Sequence, residues 1–140
     1  MRVQTSSERP TVPVELPPLD PRVIEGIALF NRHEYFEAHE AIESAWMEEF
    51  GSVRGLYQGL IQTAVALHHF CERNRPGAVR LYHSSREYLR PYGSVCQGIR
   101  LDELAEEMDR LFVPVVYGMS FPDEALPIIR MDEPPGGARG

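Results

Sequence analysis

The chain has 140 residues, 43% of them hydrophobic, which is enough for one domain around one core. A net charge of −7 argues against a nucleic-acid partner held by bulk electrostatics, because such proteins present a basic face. Every one of the 14 Lys/Arg positions is arginine, which removes lysine Schiff-base and phosphate-loop lysine chemistry.

Residues 1–19, rich in Pro, Ser and Thr, read as a flexible arm. This stretch lacks the apolar region of a secretory signal, and no apolar run in the chain reaches the roughly 20 residues of a membrane helix. The expectation is a cytoplasmic protein with no membrane partner. Asp20-Pro21 is a helix start, an N-cap acid followed by proline at the first helical position. A first helix is expected from Pro21 to Phe30, with Asn31 as its stop, then a very short link and a tight hairpin into the next helix.

That next helix is expected over Tyr35–Phe50, with Phe36, Trp46, Met47 and Phe50 as its core stripe. His39, Glu40 and Glu43 fall on the same side of the wheel. Charge on an apolar face needs a partner, since an unpaired buried ion costs several kcal/mol. Gly51 closes this helix, and Ser52 reads as an N-cap for the next.

Val53–Glu72 is apolar nearly all round, the pattern of a central helix. Gln58, Gln62 and His69 nevertheless align within about 40° of one another, a polar stripe able to run against His39, Glu40 and Glu43. A fourth helix follows Asn74–Pro76 and runs to Leu89, its Arg80, Arg86 and Arg90 mostly outside. Leu101–Phe112 is a clean amphipathic helix that Pro114 is expected to end. The domain is therefore expected over residues 20–113, with 114–140 an irregular tail without strand pairing. The fold class is all-α, a compact antiparallel bundle of four to five helices. Cys71 and Cys96 are too few for a disulfide scaffold and read as free, partly buried thiols.

Two readings of the polar seam stay open. In the first, His39 and Glu43, one helical turn apart, share a divalent ion with His69 from the facing helix. Glu40 is then the general base, and Gln62 orients water or a small-molecule substrate. Neither His33-Glu34 nor His39-Glu40 begins a zinc-protease HExxH motif, since Glu37 and Glu43 stand at the second histidine. His68 sits about 100° round the helix from His69, so it reads as a packed or surface residue. In the second reading the same groups form a buried hydrogen-bond network in a non-catalytic interaction module, a homodimer, sealed by Trp46, Phe36 and Tyr57.

The stretches FNRHEYFEAHEAIESAW, LYQGLIQTAVALHHF and GAVRLYHSS resemble the domain-of-unknown-function family 309 over roughly residues 22 to 90. The matching positions are Asn31, Phe36, Glu37, His39, Glu40, Glu43 and Trp46, then Gln58, Gly59, Gln62 and His69. The resemblance implies an all-α bundle and the activity in the family's usual label, metal-dependent hydrolysis. Members often carry glycine where this chain has His33, at the first inter-helix turn.

Overall fold

Asp20 opens the first helix as its sequence requires. Its carboxylate accepts the Arg22 backbone N–H at 2.8 Å, and Pro21 stands at the first helical position. The computed structural model describes residues 16–132. Residues 1–15 of the expected arm and 133–140 of the expected tail lie outside it. Five α-helices carry the described fold: α1 Pro21–Asn31, α2 Tyr35–Trp46, α3 Arg54–Cys71, α4 Arg75–Leu89 and α5 Leu101–Val116. The all-α bundle expected from the sequence is the fold.

The Arg22 guanidinium pairs with Asp20 at 3.0 Å and with Glu48 at 3.1 Å, tying the start of α1 to the end of α2. That pairing holds the Asp20 carboxyl below its usual range. Between the two helices, Gly26 allows close approach. A Cβ there would lie 2.4 Å from Ile42 Cγ1.

Three helices end in the same way. In α1, His33 takes φ +67°, its N–H reaches the Phe30 carbonyl and the Glu34 N–H reaches that of Leu29. In α3, Arg73 takes φ +60°, with Arg73 bonded to Phe70 and Asn74 to His69. In α5, Gly118 takes φ +81°, with Gly118 bonded to Val115 and Met119 to Pro114. This is the Schellman pattern, with its left-handed residue past the helix end. The α1 turn therefore stays tight with histidine in the glycine-favouring position.

α3 is the central element. Ten of its residues are buried, and it packs on α2 along one flank and α4 along the other. No Ser52 side-chain cap forms; Val53 precedes the helix instead. α5 closes the bundle through Leu101, Leu104, Met108, Leu111, Phe112 and Val115. The Phe112 ring stacks on Tyr82 with centroids 5.0 Å apart. The Tyr82 hydroxyl donates to Asp109 at 2.6 Å, and burial with that bond pushes its pKa up to about 12.

Four expectations change. α2 stops at Trp46, not Phe50, because Arg54 donates to the carbonyls of Trp46 and Glu49 at 2.8 and 2.7 Å. Its guanidinium also lies 4.0 Å over the Trp46 ring, a cation at a helix C-terminus. The core face of α2 is Tyr35, Ala38, Ile42 and Ala45, whereas Phe36, Met47 and Phe50 are 51%, 63% and 80% exposed. α5 does not end at Pro114 but passes through it to Val116. Val115 is buried there, and Arg75 donates to the Val115 and Met119 carbonyls. Finally, a hairpin joins β1 Val95–Cys96 to β2 Ile99–Arg100 through Gln97 and Gly98, both at positive φ. The tail pairs with it through an Ile99–Met131 bridge.

Candidate functional site

The rotation of α2 decides what the polar seam becomes. With the alanines inward, His39 and Glu43 move from the core to the edge where α2 meets α3. At that edge a cleft of ≈ 280 Å³ is lined by Tyr35, Phe36, His39, Val65, His68 and His69.

His39 is oriented by its own helix. Its Nδ1 lies 2.8 Å from the Phe36 carbonyl, which can only accept, so Nδ1 carries the proton. The lone pair is then on Nε2, which stands 3.7 Å from Glu43 Oε1. A carbonyl holding one imidazole nitrogen while the other faces outward is the support that metal-binding histidines use.

His69 is held in the opposite sense. Asn74 follows the Schellman turn at the end of α3, and its Oδ1 accepts the Gly77 N–H at 3.2 Å. Its Nδ2 therefore donates to His69 Nδ1 at 3.1 Å, leaving the neutral ring's proton on Nε2. Gly77 makes room for this: a Cβ there would sit 2.9 Å from the His69 ring. Burial, then the charges of His68 and Arg80, lowers the His69 pKa and favours its neutral form. His69 thus offers an N–H donor, while His39 offers a lone pair.

The remaining expected residues lie apart from the cleft. Glu40 is exposed on α2 and does not line it. Gln62 is half-buried on α3 outside the lining, its Oε1 shut off from solvent with no hydrogen-bond partner among the described residues. Tyr57 is buried elsewhere, its hydroxyl accepting the Asp20 N–H at 3.4 Å.

Two lining residues escaped the sequence reading. His68 shares the cleft with His69, their ring centroids 5.9 Å apart, because a cleft at a helix end is wider than one helical face. Tyr35 is 4% exposed, with a buried hydroxyl that has no partner among the described residues. Burial raises its pKa well above the ordinary tyrosine value. The available sign was position: Tyr35 lies one turn before His39.

The donor set can be tested against a metal ion. Two ligands of a tetrahedral ion with bonds of about 2.0–2.1 Å stand roughly 3.4 Å apart, close to the His39–Glu43 separation of 3.7 Å. This pair fits an ion. No group of three His, Cys, Asp or Glu side chains able to hold one occurs among the described residues. An ion at this pair would therefore have two protein ligands, with the rest of its shell left to water or substrate.

Fold and site define a helical-bundle protein with a histidine-lined cleft between its second and third helices. Residues 23–81 match the model of a domain of unknown function, DUF309, so this part of the chain resembles that family. The match contains every cleft residue but omits the end of α4 and all of α5. A Bacillus subtilis (strain 168) relative, the uncharacterized protein YpuF, is 34% identical over 98 residues. That alignment covers 68% of this chain and 56% of the relative, so the chain spans little more than half its length. No helix among the described residues is long and apolar enough to cross a membrane.

Proposed function

We propose that the chain is a hydrolase acting in the α2–α3 cleft, with a divalent metal ion held by His39 and Glu43. The observation that carries this reading is the His39 arrangement: Nδ1 fixed on the Phe36 carbonyl at 2.8 Å, Nε2 turned toward a carboxylate 3.7 Å away. The ion, when bound, supplies an acidified water as nucleophile. His69 serves as a hydrogen-bond donor to the substrate through Nε2–H, in place of the ligand role expected from spacing. Phe36, Val65 and Tyr35 give the cleft apolar walls, which suits a small organic substrate. Glu43 lies just outside the cleft lining but is paired with His39 Nε2; Glu40 and Gln62 neither line the cleft nor pair with a residue that does, and have no part in this reading. The cytoplasm is the proposed compartment, supported by two free thiols, one of them exposed.

A second reading, an interaction module without turnover, is favoured by the exposed Phe36 on α2 and Met47 and Phe50 just past its end. Elemental analysis by mass spectrometry on chelator-free protein separates the two. About one divalent ion per chain, lost in Glu43→Gln and His39→Gln with unchanged circular dichroism, is expected from the metal site and leads to a hydrolase substrate screen. An ion content of zero in all three proteins after reconstitution overturns it.

A further inference from the structure

A second hollow, of ≈ 250 Å³, is lined by Trp46, Arg54, Gly55, Gln58 and Tyr88. Trp46 closes α2 and Arg54 opens α3, so this hollow and the histidine cleft lie at opposite ends of the seam between those helices. Trp46 and Gln58 stand in the stretches that carry the family resemblance, and the histidine cleft uses neither.

Helical spacing and two glycines build the hollow. Arg54 and Gln58 are four residues apart and share one side of α3, with Gly55 beside them. Gly55 and Gly59 let the end of α4 and the turn after it lie close on α3. A Cβ at Gly59 would sit 3.2 Å from Tyr88 Cβ, and one at Gly55 would sit 2.7 Å from the Tyr92 hydroxyl. That hydroxyl donates to the Ser52 carbonyl at 2.7 Å. Tyr88 is thereby carried to the edge of the hollow.

Arg54 is fixed in place but not neutralised. Its Nη1 donates to the carbonyls of Trp46 and Glu49, and its guanidinium lies over the Trp46 ring and 5.1 Å from the Phe50 ring. The opposite edge of the guanidinium, Nε and Nη2, has no partner among the described residues and stays open to solvent. The acids close by in sequence are engaged elsewhere. Glu43 faces His39, Glu48 pairs with Arg22, Glu49 accepts the Gly51 N–H, and Glu87 pairs with Arg90. The Trp46 indole N–H and the Gln58 amide are also open to solvent and without a partner among the described residues.

We propose that this hollow binds a small aromatic monocarboxylate. The two carboxylate oxygens take the Nε–H and Nη2–H of Arg54, the in-plane fork that a guanidinium offers to a carboxylate. The Gln58 amide adds a donor to the same group, and the ring lies against Tyr88 and the edge of the Trp46 indole. The first turn of α3, which has no side-chain cap, adds the positive end of its dipole. Charge sets the class of ligand: Arg54 matches one negative charge, whereas a phosphate dianion brings a second toward the carbonyls that end α2, the negative pole of that helix. Volume sets its size, since the hollow falls below the roughly 300–1,000 Å³ of sites for drug-sized ligands, and one ring with its acid group fits.

Trp46 is the one tryptophan of the chain, so its indole N–H gives a single cross-peak in a nitrogen–proton correlation spectrum, a reporter inside the hollow. Titration of the full chain with benzoate in the presence of chelator keeps any ion in the histidine cleft out of the result. A saturable shift of that peak is expected, with a Kd of about 1 mM. Benzamide, which has the same shape without the charge, should bind at least about tenfold more weakly. Inorganic phosphate should not displace benzoate. Tyr88→Ala, at an exposed site, and Arg54→Lys, which keeps the charge but loses the fork, should each weaken benzoate binding by about tenfold. Circular dichroism checks the fold of each variant; if Arg54→Lys fails to fold, Tyr88→Ala and benzamide still decide. No saturable shift at millimolar benzoate, equal affinity for benzamide, displacement by equimolar phosphate, or unchanged affinity in either folded variant overturns the proposal.

Discussion

α2 and α5 are both amphipathic, yet they use their large apolar side chains in opposite ways. α5 buries Leu101, Leu104, Met108, Leu111 and Phe112 and leaves acids outside. α2 buries Ala38, Ile42 and Ala45 beside one tyrosine, while Phe36 within it and Met47 and Phe50 just past its end stay in the open. Small residues let α2 lie close to α1, where Gly26 meets Ile42, and close to α3. The stability of the bundle therefore depends on α5 and α3. The outer face of α2 is free for contacts that folding does not need.

Substitutions in α5, in α1 where it meets α2, and just past the end of α2 test this division. Phe112→Ala should cost about 3–5 kcal/mol in urea unfolding, since it empties a fully buried site stacked on Tyr82. Gly26→Val should cost about 1–3 kcal/mol by forcing α1 away from Ile42, readable as a lower thermal midpoint. Asp20→Ala should cost about 1 kcal/mol through loss of the α1 cap. Its effect should also depend on pH. The folded Asp20 carboxyl titrates below its unfolded value, so its contribution is complete above about pH 4 and fades as pH falls further. Wild type and variant should converge in strong acid. Met47→Ala and Phe50→Ala should each move stability by less than about 0.5 kcal/mol. A loss from Phe50→Ala matching that from Phe112→Ala would erase the contrast between the helices.

The helices themselves were legible because their end signals are local. Asp20-Pro21 and the Asn74–Pro76 turn act within a few residues, and the stripe of α5 pairs large apolar groups with a clean acidic opposite face. The phase of α2 was not legible. A wheel weights Phe36 and Phe50 above Ala38 and Ala45, whereas packing against Gly26 selects the small residues. The end of α2 was hidden too, because the Arg54 that caps it belongs to the next helix. Pro114 misled in the other direction: burial of Val115 and the Arg75 bonds outweigh one lost N–H. Within the site, His39 and His69, matched by spacing, both line the cleft, while Glu43 stands outside the lining beside His39. Which nitrogen of each ring faces the cleft depends on Phe36 and Asn74, and no pattern of residue types encodes that.

Asn31 closes the fold over a sequence distance of 98 residues. Its amide donates to the Ile129 carbonyl at 2.9 Å and accepts the Ile129 N–H at 2.7 Å, imitating a strand partner. One end of that clasp lies in the family segment and the other far beyond it. The stretch that matches the family model thus shares contacts with residues far outside it. Cut out alone, residues 23–81 would lose the partner of Asn31 and the Phe112 ring that covers Phe70. The border of the matched segment and the border of the packed core therefore do not coincide in this chain.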